Sequence, residues 1–135
     1  MQMTLTRAAR ALGAGLVAIT LVGAGTSTTH AQGAEVRSSG DCSATSTWKL
    51  KTKADDGRLE VEFEVDSNRV GQTWTVRLDD NGTRFFSGNR TTKAPSGSFE
   101  VEKRTANRAG NDRVHAVASN GKTGERCSGV VTFPG

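Results

Sequence analysis

The sequence predicts an all-β domain, a single antiparallel sandwich of about seven short strands. Three observations carry that expectation. From Cys42 onward apolar and polar residues alternate with a period of two, the signature of strands with one buried face. Turn pairs such as Asp56-Gly57, Asn81-Gly82 and Asn120-Gly121 punctuate the alternation at intervals of roughly 8 to 12 residues. No window carries an apolar stripe of helical period.

The elements follow in chain order. In Cys42–Lys53 the even positions (Cys42, Ala44, Ser46, Trp48, Leu50, Thr52) form one face, and Lys49, Lys51 and Lys53 the other. Arg58–Asp66 sets Leu59, Val61, Phe63 and Val65 against Glu60, Glu62, Glu64 and Asp66. Alternation on both sides of Asp56-Gly57 predicts a hairpin. A two-residue loop pairs Lys53 with Glu60 and Lys51 with Glu62; a four-residue loop pairs Lys51 with Glu60. Either register sets lysine opposite glutamate. These pairs are expected to form a solvated sheet face.

Gln72–Asp79 presents Trp74, Val76 and Leu78 on one side. Thr83–Ser87 is a short strand in which Phe85 and Phe86 are adjacent, so one of them is expected outside unless an edge or loop covers it. Asn89–Ser98, with Pro95 and Gly97, reads as a loop. Phe99–Thr105, Asp112–Asn120 and Glu125–Phe133 complete the set.

The N-terminus reads as an export signal. MQMTLTRAAR is basic, residues 11–25 are uncharged and largely apolar, and Thr29-His30-Ala31 supplies small residues for a cut after Ala31. The apolar run is shorter than the roughly 20 residues that span a bilayer, and an uncleaved anchor is the rival reading. Removing 31 of 135 residues leaves 104, and loss of Arg7 and Arg10 lowers the net charge from +4 to +2. The protein is therefore expected to be secreted, with no membrane association after cleavage. Residues 32–41, polar and rich in Gly and Ser, read as a flexible leader, and 42–135 as the domain. Cys42 and Cys127 are an even pair in an oxidising compartment and are expected to form a disulfide. Twelve Arg to six Lys and a single Ile suit a GC-rich bacterial gene.

The stretch Gly110–Asn120 through Gly124-Glu125 resembles the F–G hairpin of immunoglobulin-like domains. Trp74 is similar to the strand-C tryptophan, with Val61 and Phe63 on the matching strand B. The resemblance extends over about 42–133 and implies an immunoglobulin-like or fibronectin-like sandwich. It departs from antibody domains: Ala116 stands in place of the strand-F cysteine, Val114 in place of the corner tyrosine, and strand B has no cysteine.

Catalytic constellations are sparse. Downstream of the expected cut His115 is the only histidine, on the face opposite Val114, Ala116 and Ala118, and is expected to be an exposed strand residue. One histidine and bridged cysteines cannot complete a zinc tetrahedron. Gly121-Lys122-Thr123 ends like a phosphate loop, but Ala116 occupies the required first glycine. The carboxylate pairs Asp55-Asp56 and Asp79-Asp80 sit at hairpin tips, where turn geometry accounts for them. Asp79–Gly82 lacks the spacing of an EF-hand loop. No metal, cofactor or enzymatic activity is expected. The basic residues scatter among Thr, Asn and Glu, so nucleic acid is not expected either.

What remains is recognition by surface and loops. The expected function is a secreted, monomeric binding module for an extracellular protein or glycan. A contact surface is expected at Arg84, Phe85, Phe86, Arg90 and Lys93 beside the 89–98 loop. Two alternatives stand: an inhibitor of an extracellular hydrolase presenting that loop rigidly, and a glycan-binding module with an exposed aromatic row.

Overall fold

The computed structural model describes residues 34–135. The signal peptide expected over 1–31 lies outside the described residues. Eight strands occur in order: β1 (Glu35–Asp41), β2 (Thr47–Asp55), β3 (Arg58–Asp66), β4 (Thr73–Asp80), β5 (Thr83–Thr91), β6 (Ser98–Ala106), β7 (Asp112–Ser119) and β8 (Arg126–Phe133). They form two four-stranded antiparallel sheets, β1-β2-β3-β6 and β5-β4-β7-β8. The all-β antiparallel expectation holds, with one strand more than foreseen.

The extra strand is β1, which corrects the reading of 32–41 as a flexible leader. Glu35–Asp41 pairs along β2 from Lys53 to Thr47. Its inward positions are Val36, Ser38 and Gly40, so only one residue of that face is a large apolar one. Gly40 is small because the Trp48 indole lies against it; a Cβ there would come within 3.0 Å of the ring. Gly129 of β8 does the same from the other sheet, where a Cβ would overlap the ring. Trp48 thus fills the seam between the sheets because two glycines vacate it.

The β2–β3 hairpin adopts the two-residue register, pairing Lys53 with Glu60, Lys51 with Glu62 and Lys49 with Glu64. Asp56 and Gly57 take φ of 50° and 75°, the left-handed pair that a tight hairpin requires. Residues 42–46, expected to begin a strand, instead form a bend closed by Cys42 N–H donating to the Ser46 carbonyl at 2.8 Å. The core lies between the sheets and centres on Trp74, Phe63, Leu50 and Leu78, all essentially solvent-free. Trp74 and Phe99 meet at 6.4 Å between ring centroids with a 54° tilt, within the range aromatic pairs favour.

Cys42 and Cys127 form the expected disulfide across 85 positions of sequence. It joins the β1–β2 bend to β8. The same corner carries a second tie. Glu125, only 8 % exposed, accepts hydrogen bonds from Ala44 N (3.1 Å), Ser46 N (2.9 Å) and Ser46 Oγ (2.6 Å). Burial pushes its carboxyl up, but these donors outweigh burial and hold it below the ordinary 4.5. A depressed native pKa stabilises the fold above the unfolded value, and the contribution is lost as pH falls through the native one. Glu125→Gln turns an amide donor toward these N–H groups and should cost about 1–2 kcal/mol at neutral pH. Urea unfolding should show this deficit at pH 7 and a smaller one at pH 3.

Candidate functional site

The expected contact residues are divided between two sides of β5. Asp79 pairs with Arg84 and Leu78 with Phe86, a register shift that leaves Phe85 as the extra residue of a β-bulge. The bulge answers which phenylalanine is exposed: both are half-buried and pack on the core, because the inserted residue breaks strict alternation. Phe86 lies across Gly88 and is capped by the Arg90 guanidinium and the Lys103 ammonium, each 5.0 Å from its ring centre. This stack closes the gap between β5 and β6 and offers no free aromatic anchor. Arg84 points to the opposite face, where its Nε donates to Asp79 Oδ1 at 3.0 Å.

The connection after β5 is shorter than expected, since the strand runs on to Thr91. Lys93–Ser96 is exposed, between buried Thr92 and Gly97. Lys93 N–H donates to Ser98 O (2.9 Å) and Gly97 N–H to Lys93 O (2.8 Å). Gly97, at φ 75°, lies against the Arg69 backbone so closely that a Cβ would overlap it. The tip bearing Lys93 is therefore presented on a braced base.

The outer face of β5-β4-β7-β8 is the most distinctive surface. Its outward positions come from the polar halves of four alternating strands, and they are rich in arginine and hydroxyls. Arg77, Arg84, Arg113 and Arg126 stand on it with His115, while Asp79 is its one carboxylate. A solvent-open hollow of 340 Å³ lies between Arg77, Arg84, His115 and Arg126, with Asp79 beside Arg84 and a floor of Thr75, Val117 and Ser119. Among the described residues only Arg84 of the four arginines has an ion-pair partner. These residues are far apart in sequence, so the basic face was invisible as a run and emerges only when β4, β5, β7 and β8 are laid side by side.

His115 proves half-buried rather than free, and its Nε2 is 2.9 Å from Ser128 Oγ. Asp79 is its register neighbour on β4, but that carboxylate accepts from Arg84. The Ser–His contact thus has neither an engaged carboxylate to orient the ring nor walls to exclude water, and resembles a surface hydrogen bond more than an activated nucleophile.

The other sheet carries the opposite character. Lys53 meets Glu60 at 2.9 Å, Lys51 meets Glu62, and Lys49 meets Glu64 at 3.9 Å. Beyond β3, however, β6 sets Glu102 opposite Glu62 and Glu100 opposite Glu64. Partial burial and then the neighbouring Glu62, Glu64 and Glu102 push the Glu100 carboxyl up. Glu60, Glu62 and Glu102 gather within 4.8 Å, but Lys53 and Lys51 already meet the first two.

The tip carboxylates separate as well. Asp79 faces outward, whereas Asp80 is 1 % exposed and lies by Asp112, which is fully buried. Arg108 Nη1 donates to Asp80 Oδ2 at 2.9 Å, and Arg108 N–H donates to Asp112 Oδ2 at 3.2 Å. Burial and then the Asp112 charge push the Asp80 carboxyl up to about 6, against the pull of Arg108. The pair is sealed from any substrate. Asn81, φ 48°, locks the adjoining turn: its Oδ1 accepts from Arg113 N (2.8 Å) and its Nδ2 donates to Asn111 O (3.1 Å). In the Gly121-Lys122-Thr123 turn, Asn120 Oδ1 accepts from Lys122 and Thr123 N–H, so those amides are spent on the loop itself. No protein-family model, curated protein or solved structure matches this chain.

Proposed function

We propose that the chain is an exported, non-catalytic binding module of immunoglobulin-like or fibronectin-like type, which engages its extracellular ligand through the outer face of β5-β4-β7-β8. The observation that carries this is the arginine- and hydroxyl-lined hollow on that face, with Arg77 and Arg126 of its three arginines unpaired among the described residues. The strand order supports the architecture. With β3, β4, β7 and β8 taken as strands B, C, F and G, the order β5-β4-β7-β8 reads C′-C-F-G, and Trp74 takes the strand-C position. The disulfide between the β1–β2 bend and β8 fits an oxidising compartment.

The full chain, expressed in a secreting bacterial host, should appear in the medium with an intact mass starting at Gln32. A mass retaining residues 1–31 on a membrane-bound product would overturn export. Immobilised, that protein should retain a component of the producing organism's cell wall or secreted proteins. The double charge reversal Arg77→Glu/Arg126→Glu should abolish retention. Failure to retain anything would remove the binding reading.

The inhibitor reading has one observation in its favour, the exposed Lys93–Ser96 tip on its braced base. It predicts that Lys93→Ala, rather than the arginine reversal, abolishes capture of a secreted hydrolase. A neutral-glycan reading has no such support: among the described residues the one strongly exposed large apolar side chain is Val70, and no aromatic row faces solvent.

A further inference from the structure

We propose, resting on the binding reading above, that the ligand of the β5-β4-β7-β8 face is an acidic polysaccharide, an extended chain with carboxylate or other anionic groups repeated along it. The openness of the face, with its arginines spread over several strands, selects a polymer over a small anion. Arg77 and Arg84 sit on adjacent strands one inward–outward repeat apart, and Arg126 sits two strands from Arg77. With strands about 4.8 Å apart and same-face residues about 6.8 Å apart, their Cα positions are separated by roughly 8 Å and 12 Å. Arginine side chains are long enough to converge over such distances, but the hollow is open to solvent and does not enclose a small anion, which keeps its water there. A chain with repeated charges can meet the unpaired Arg77 and Arg126 in turn, in the two-pronged geometry that arginine offers to oxyanions, while Arg84 holds its Nε on Asp79.

The ground between the arginines selects a sugar chain over other polyanions. Thr75, Asn89, Ser119 and Ser128 line it with short hydrogen-bonding groups, suited to ring hydroxyls. The face has no exposed aromatic for stacking nucleotide bases. Its apolar residues, Val117 and Val130, are half-buried, so it lacks the apolar anchor around which protein interfaces are built. The opposite sheet supplies an internal control, because Lys49, Lys51 and Lys53 on its outer face are already paired with glutamates.

The exported full chain should be run in native gels containing polygalacturonate, dextran sulfate, neutral dextran or single-stranded DNA. Polygalacturonate or dextran sulfate should retard it, the first marking carboxylates and the second sulfates as the preferred charge, while neutral dextran should not. Retardation should weaken as salt is added. Arg77→Ala/Arg126→Ala should weaken it about tenfold, the loss expected when charge-assisted contacts are removed. Arg37→Ala/Lys49→Ala on the other sheet should leave it within about twofold. Equal thermal midpoints for both double variants would show that the fold is intact.

Equal retardation by single-stranded DNA, equal weakening by the opposite-sheet variant, or binding to neutral dextran would each overturn the proposal. The two readings fail separately. Arginine-dependent retention of a wall or secreted component without retardation by either acidic polymer removes the polysaccharide and leaves the module. Absence of both removes the face as a binding site.

Discussion

Replacing Cys42 by Ser and Cys127 by Ala together should lower the free energy of unfolding by about 4 kcal/mol, most of the margin of a marginal domain. The bridge constrains a loop whose ends are 85 positions apart, and the entropy it removes from the unfolded chain grows with that length. Alanine is the right replacement at 127 because that side chain is fully buried in the core, where a hydroxyl would need a partner. The folded state loses its covalent tie at the corner where Glu125 also holds the 43–46 bend. The two ties act on one loop, so their removals should not add: Glu125→Gln should cost a different amount in the bridged and unbridged proteins. Urea unfolding of the four variants measures both quantities. A loss below about 1 kcal/mol for the cysteine variant would show that the unbridged chain is already held by its hydrogen bonds, and would remove the disulfide from the account of stability.

The parts of the fold legible in the sequence are those where apolar residues mark one face outright. Leu59, Val61, Phe63 and Val65 announce β3, and Asp56-Gly57 fixes the hairpin. β1 was hidden because its inner face offers one large apolar residue, Val36, beside Ser38 and Gly40, the last of which makes room for Trp48. Its pattern therefore reads as a polar leader until the indole it accommodates is seen. The Phe85-Phe86 pair was legible as a conflict, and its resolution by a bulge depends on the partner strand β4. The arginine-rich face follows the same logic. Each arginine is an ordinary outward residue of its own strand, and only the order β5-β4-β7-β8 gathers them. Asp80 illustrates the limit most clearly. Its type and its place beside Asn81-Gly82 are those of a turn former, yet the extra residue of the bulge lies in β5, so β4 keeps its alternation and turns Asp80 inward against a carboxylate 32 positions away.

That inward carboxyl should invert the usual response to mild acid. Asp80 titrates at about 6 in the folded protein against an ordinary 3.8. The folded state therefore binds more protons than the unfolded one between those values, and stability falls as pH rises through about 6. A separation of this size corresponds to about 2–3 kcal/mol. The domain should accordingly be more stable near pH 5 than at pH 7.5, before the loss of Glu125 and other carboxylate contacts reverses the trend at lower pH. Asp80→Asn should hold the acid-side behaviour at every pH. Its amide oxygen still accepts from Arg108, and its N–H₂ can donate to Asp112, whose Oδ1 is buried with no donor. The variant should gain about 2 kcal/mol at pH 7.5 and about half as much at pH 5. Asp112→Asn should flatten the same interval, since it removes the charge that, after burial, pushes the Asp80 carboxyl up. Asp79→Asn, one residue away but outward, should leave the slope between pH 5 and 7.5 in place. Thermal midpoints of the three variants across that interval decide the matter. If Asp80→Asn is less stable than the parent at pH 7.5, Arg108 holds the Asp80 carboxylate more strongly than burial and Asp112 disfavour it, and the inverted response is ruled out.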